Sequence, residues 1–221
     1  SSITSLEFRC ETAALSAQGL GTCGGRPLPG ILVSVVKISD AAIPTWSDDL
    51  SAVEGEIGEI VVKGPVVTKG YYRRPDATAL AKIRDIDGEV LHRMGDLGYI
   101  DGRGRLWFCG RKSQRVVTSS ETLYTIPCEA VFNRHPRVRR TALVGVGVQG
   151  GQAPVLCVEL EPGSSEDEES LKGELLALGA ALSHTRKIKT VLFHPGFPVD
   201  IRHNAKIFRE KLAAWAARRI A

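Results

Sequence analysis

The stretch MGDLGYIDGRGRLWFCGRKSQRV, residues 94–116, holds a hairpin, two candidate ligands and a change of character along the chain. Tyr99-Ile100 and Arg105-Leu106-Trp107-Phe108 flank Asp101-Gly102-Arg103-Gly104. Glycine supplies the positive φ that a tight strand connection needs, so this segment predicts a β-hairpin. Beyond Arg111, the polar run Lys112-Ser113-Gln114-Arg115 links two apolar stretches and reads as a junction between units. Toward the N terminus, residues 1–30 are irregular and glycine-rich. ILVSVVKI (31–38) and GEIVVKG (58–64) then read as strands, and Pro75-Asp76 opens a short helix through ATALAKIRD. Toward the C terminus, the pattern predicts a helix near 127–135, strands at 141–148 and 154–160, and a strand from Lys189 to Phe193. Ser165 and Glu168 stand at capping-box spacing and predict a helix from about 166 to 183, whose acidic start complements its dipole. A last helix is expected from about Ala205 to Ile220, with Phe208, Leu212 and Trp215 on one face. The fold class expected is α+β: a mostly β piece over 1–112 followed by a compact α+β domain over 113–221.

Composition narrows the function. The 221 residues are 43% hydrophobic and 24% charged, which excludes a disordered or collagen-like chain. No apolar run approaches the roughly 20 residues of a membrane span, and no signal-peptide pattern opens the chain. The chain begins Ser1-Ser2-Ile3 without Met, which is read as a processed start or as part of a longer chain. Five cysteines (Cys10, Cys23, Cys109, Cys128, Cys157) are odd in number and lack CxxC spacing. That argues against a disulfide scaffold or zinc site and fits a cytoplasmic protein. His92, His135, His184, His194 and His203 are scattered, so no metal ligand is assigned. A net charge of +4 is mild. The six basic and two acidic residues of 200–221 form no known nucleic-acid reader motif and read as a solvated helix face.

Three polar residues stand out. Asp96 lies between Gly95 and Gly98, on what reads as a turn before a strand. It is either a turn aspartate bonding its own backbone or a carboxylate accepting two hydrogen bonds from a vicinal diol such as a ribose. Arg111 ends the strand RLWFCG and is either a surface arginine at a junction or a clamp for phosphate or ribose oxygens. Lys206 enters the last helix, where its charge opposes the helix dipole. It is either simply solvated or shares that place with an anion.

Six motifs in order resemble the adenylate-forming superfamily of acyl-CoA synthetases, luciferases and peptide-synthetase adenylation domains. They are Gly25-Arg26-Pro27-Leu28-Pro29-Gly30, Gly58-Glu59-Ile60, Lys69-Gly70-Tyr71-Tyr72, Gly95-Asp96-Leu97-Gly98-Tyr99, Gly110-Arg111 and Asn204-Ala205-Lys206. The resemblance implies that 1–112 is the C-terminal part of a large AMP-binding domain and that 113–221 is a small mobile domain. It implies ATP and Mg²⁺ as cofactors. Asp96 would bind the ribose hydroxyls, and Arg111 would also contact the nucleotide. Lys206 would be the catalytic lysine, reaching the α-phosphate and the attacking carboxylate. Ser113 would be the hinge, about which the small domain swings Lys206 in for adenylation and out afterwards.

Two departures point to a narrower likeness. Thioester-forming members carry a glycine-containing loop after the hinge, usually with a lysine. Here residues 116–126, VVTSSETLYTI, have neither, and Leu123 and Tyr124 are expected to stand across any thiol route. The usual Pro-Lys-Thr-x-x-Gly-Lys ending is replaced by Pro198-Val199-Asp200-Ile201-Arg202-His203-Asn204-Ala205-Lys206. MGDLGYIDGRGRLWFCGRKSQRV and VDIRHNAKIFREKLA are similar to the β-lactone synthetases of bacterial olefin biosynthesis. That likeness implies adenylation of a long-chain 2-alkyl-3-hydroxyalkanoic acid, then ring closure by its own β-hydroxyl. Other enzymes of that pathway, a hydrolase-like decarboxylase and a reductase, are the expected partners. A fatty acyl-CoA or acyl-AMP ligase and a non-catalytic adenylate-binding module are the alternatives.

Overall fold

The computed structural model describes residues 1–164, 167–200 and 206–220. The chain divides into two compact units: Ser1–Leu15 with Leu20–Ser113, and Ser16–Gly19 with Gln114–Ala221. Both are built of mixed strands and helices, so the α+β class holds.

The first unit is a six-stranded antiparallel sheet. Its strands are β1 (Thr22–Gly25), β2 (Leu32–Val36), β3 (Gly58–Lys63), β4 (Lys82–Arg84), β5 (Val90–Ile100) and β6 (Leu106–Arg111). They run in the order β1-β6-β5-β3-β2, with β4 paired to β5. Helix α1 (Pro75–Ala81) starts on its proline but stops earlier than its sequence suggests. Lys82–Arg84 is strand, because Ile83 is fully buried among Val36, Ile43, Val61 and Leu91. Tertiary burial thus overrides a marginal helical pattern.

The Asp101 hairpin forms as expected. Gly104 N–H donates to Asp101 O at 2.8 Å and Asp101 N–H to Arg105 O at 3.0 Å. The Asp101 carboxylate accepts from Arg103 N, Arg105 N, Arg105 Nε and Trp107 Nε1, all at 2.8–2.9 Å. Burial works against this carboxylate, but the four donors outweigh it and hold its pKa down at about 2. Beneath the hairpin, β5 and β6 come unusually close. A Cβ on Gly98 would lie 2.2 Å from the carbonyl oxygen of Trp107, so only glycine fits there.

The second unit opens with a small hairpin, β7 (Val116–Val117) and β8 (Thr122–Leu123). Then come α2 (Thr125–Phe132), β9 (Val138–Val146), β10 (Ala153–Leu160), α3 (Glu168–Ala180), β11 (Thr190–Phe193) and α4 (Arg209–Ile220). β10 is central, antiparallel to β9 and parallel to β11. Alternation along these strands supplies two apolar faces. Leu143, Leu156, Val158 and Val191 pack with residues of α2 and α3. Ala142, Val144, Val155 and Cys157 pack with Leu212 and Ala216 of α4. Burial on both faces explains why TALVGVGV and PVLCVEL read as continuous apolar runs.

Two helix starts differ from expectation. Asp167, with φ of 57°, caps α3 by accepting from Ser170 N–H, while Ser165 lies outside the described residues. Glu168 and Glu169 still occupy the first turn. α4 begins only at Arg209, because Lys206 and Ile207 are extended: Ile207 bridges to Val199, and Asp200 N–H donates to Lys206 O at 2.9 Å. Lys206 therefore precedes the helix by three residues and does not stand at its N-terminus. On α4 the buried positions are Leu212 and Ala216, with Trp215 partly covered beside them.

Candidate active site

Asp96 sits inside β5, not on a turn. Gly95 before it has φ of 66°, and the pairing of β5 with β6 shifts register between Leu97 and Gly98. The glycines flanking Asp96 thus mark an irregular strand, the other common use of glycine in such a pattern.

That register sets Asp96 directly opposite Arg111 on β6. Arg111 Nη1 lies 3.0 Å from Asp96 Oδ1 and also donates to Met94 O at 3.4 Å. The Asp96 Oδ1 atom is buried and makes no directed hydrogen bond, so the guanidinium approaches it off the bonding direction. Burial pushes the Asp96 carboxyl up, and the charge of Arg111 opposes the shift. The Asp96 side chain is 20% exposed and that of Arg111 57%, so the cation is the more open of the pair. Asp96 also edges a hollow of about 260 Å³ walled by Ile31, Val33, Ile60, Val62, Leu106 and Phe108. The pair sets a carboxylate and a cation side by side, beside an apolar wall.

Ser113 is exposed within the turn Lys112–Gln114 and is the last residue of the first unit. Just before it, Lys112 is firmly held. Lys112 Nζ donates to Glu59 at 3.0 Å and to Ser39 O at 2.9 Å. Glu59 also receives Nε and Nη2 of Arg93, and both of those side chains are 1% exposed. Arg93 in turn donates to the Ala41 and Ser39 carbonyls. In the sequence Glu59 stands out only as part of Gly58-Glu59-Ile60. The signal for its role was a lone carboxylate inside an apolar strand, which needs a buried partner.

Lys206 belongs to the second unit and is exposed on its extended segment. Ile201 to Ala205, with the motif residues Asn204 and Ala205, lie outside the described residues. In the same unit, residues 116–123 of this segment form a closed hairpin, and Thr125 and Ile126 already belong to α2. Thr118 N–H donates to Glu121 O at 2.9 Å, and Gly150 and Gln152 N–H groups both donate to Val117 O. Its tip is tied down by Lys187, whose Nζ lies 2.9 Å from both Ser120 Oγ and Glu121 Oε1. Leu123, expected across a thiol route, instead points into the core beside Val131 and Leu156, and only 2% of it is exposed. The strand alternation that buries Val116 also buries its partner Leu123.

No family profile matches the chain. It is 54% identical over 211 residues to the olefin beta-lactone synthetase of Xanthomonas campestris pv. campestris, covering 93% of this chain. It is 52% identical over 210 residues to the olefin beta-lactone synthetase of Stenotrophomonas maltophilia, again over 93% of this chain. The chain spans 38% of the length of each of these relatives. The solved structure of ATP-bound MatB from Rhodopseudomonas palustris matches with a TM-score of 0.72 at 26% identity, over 90% of this chain and 36% of that one. This chain corresponds to the C-terminal portion of the adenylate-forming superfamily. Within that superfamily framework, Asp96 and Arg111 are neighbours in the first unit, and Lys206 is carried by the second. Among the described residues, no group of three or more His, Cys, Asp or Glu could hold a metal ion. None of the described helices is long and apolar enough to cross a membrane.

Proposed function

We propose that this chain is the nucleotide-closing part of an ATP-dependent, AMP-forming β-lactone synthetase acting on a long-chain 2-alkyl-3-hydroxyalkanoic acid. The observation that carries the reading is the 54% identity, over 93% of the chain, to a protein of that name. The geometry at Asp96 supports a nucleotide there. Its side chain is 20% exposed and ion-paired to Arg111, and a carboxylate in that setting can accept from the hydroxyls of a ribose. Arg111, exposed and adjacent, suits the oxygens of the same nucleotide.

In this reading the substrate carboxylate attacks the α-phosphorus of ATP, and pyrophosphate leaves. Lys206 offsets the negative charge that develops in that step. The substrate's β-hydroxyl then attacks the acyl carbonyl of the mixed anhydride, giving up its proton as AMP departs, and a four-membered lactone closes. A nucleophile built into the substrate has a high effective concentration and needs no channel from outside. The hairpin 116–123 supports a reaction without CoA, since it is closed on itself and tied at its tip. Mg²⁺ would accompany the ATP phosphates and offset their charge. Ser113 serves as the hinge, and a decarboxylase and a reductase acting on the same long-chain material are the proposed partners.

The test is release of AMP by the full-length protein given ATP and a 3-hydroxy acid. AMP dependent on the acid and independent of CoA supports the reading. No AMP with any carboxylic acid would turn it toward a non-catalytic adenylate-binding module.

A further inference from the structure

We infer that Arg209 and Glu129 are positioning residues for Lys206, clamping the root of the segment that carries it. This rests on the reading of Lys206 as the adenylation lysine. Glu129, on α2, is buried. Its Oε1 accepts from Arg209 Nη1 at 2.5 Å and from Leu143 N–H at 2.7 Å, and its Oε2 accepts from Arg209 Nη2 at 2.9 Å. Arg209 Nη1 also donates to Leu143 O at 3.2 Å. The guanidinium is thus held by a helix and a strand at once, in a two-pronged geometry that fixes direction as well as distance.

Between Arg209 and Lys206 there is no slack. Phe208 N–H donates to Pro198 O at 2.9 Å, Ile207 bridges to Val199, and Lys206 O accepts from Asp200 N–H at 2.9 Å. The other leg is held too, because Phe197 N–H donates at 2.7 Å to Glu159, which is 3% exposed. Two buried carboxylates therefore root the two legs, and the lysine projects from the frame they define. A buried ion pair is a poor means of stabilising a core compared with apolar packing of the same volume. Its advantage is fixed geometry. An exposed lysine that must meet a phosphate needs that, since a displacement of about 1 Å can cost two orders of magnitude in rate.

The experiment compares Lys206→Ala, Arg209→Met, Arg209→Lys and Glu129→Gln in the full-length protein. It measures pyrophosphate release from ATP and a 3-hydroxy acid, with circular dichroism confirming that each variant is folded. Arg209→Met and Glu129→Gln should lower kcat for adenylation at least tenfold with little change in KM for ATP. Arg209→Lys, which restores one prong, should recover part of the loss. Turnover of chemically prepared acyl adenylate should be unchanged in all three. If Arg209→Met does not fold, the other two clamp variants carry the comparison. Folded clamp variants at the wild-type adenylation rate, beside a crippled Lys206→Ala, would overturn the inference. A wild-type rate in Lys206→Ala would instead overturn the reading on which it rests.

Discussion

At Asp96, a buried carboxylate oxygen meets a neighbouring cation without a directed hydrogen bond. In the proposed site, a ribose hydroxyl donating to this carboxylate would add a charged hydrogen bond worth about 1.5–3 kcal/mol. Asp96→Ala in the full-length protein should therefore weaken a non-hydrolysable ATP analogue by roughly tenfold or more, read by calorimetric titration. Unchanged affinity would remove Asp96 from the nucleotide site. In the proposed reaction Lys206 differs in kind, because its charge would be needed as pyrophosphate leaves and not before. Lys206→Ala should slow single-turnover adenylation by orders of magnitude while leaving analogue affinity nearly intact. A normal rate would assign the role to another cation.

At the scale of elements, the β5–β6 hairpin is set by Asp101. With its folded pKa depressed to about 2, its stabilisation is full above the unfolded value and is lost as pH falls through the folded one. The shift corresponds to about 2 kcal/mol at neutral pH. Asp101→Asn should lower stability by that order at neutral pH, and the difference from wild type should shrink between about pH 4 and pH 2, as read by urea denaturation. This hairpin was legible in the sequence because its turn chemistry is local. The strands of the second unit were legible for a similarly local reason, being short continuous apolar runs. What escaped reading depended on distant partners. β4 forms because Ile83 is drawn into a core built from β2, β3 and β5. Asp96 was seen as a candidate, but its placement within a strand opposite Arg111 needed the register of the whole sheet. Glu129 and Arg209 are 80 residues apart, and neither has a neighbour in sequence that marks the pair. Leu123 reads as an obstacle in one dimension and as core once the strand alternation is known.

For the whole molecule, the account requires that Lys206 be brought to and withdrawn from a nucleotide held by Asp96 and Arg111, with Ser113 as pivot. The Lys112–Glu59–Arg93 network holds the chain immediately ahead of that pivot, so rotation should begin at Ser113 and not earlier. Ser113→Pro fixes φ at the pivot. It should slow multiple turnover more than a single round of adenylation, measured by quench-flow, because release requires the swing that binding has already used. Equal slowing of both would place the pivot's role in adenylation itself. In the proposed reaction the activated acid is captured by its own hydroxyl and not by a thiol. The direct measurement is mass spectrometry of the products formed by the full-length protein from ATP, a 2-alkyl-3-hydroxy acid and excess CoA. The account predicts a β-lactone and AMP with no acyl-CoA; acyl-CoA as the main product would contradict it.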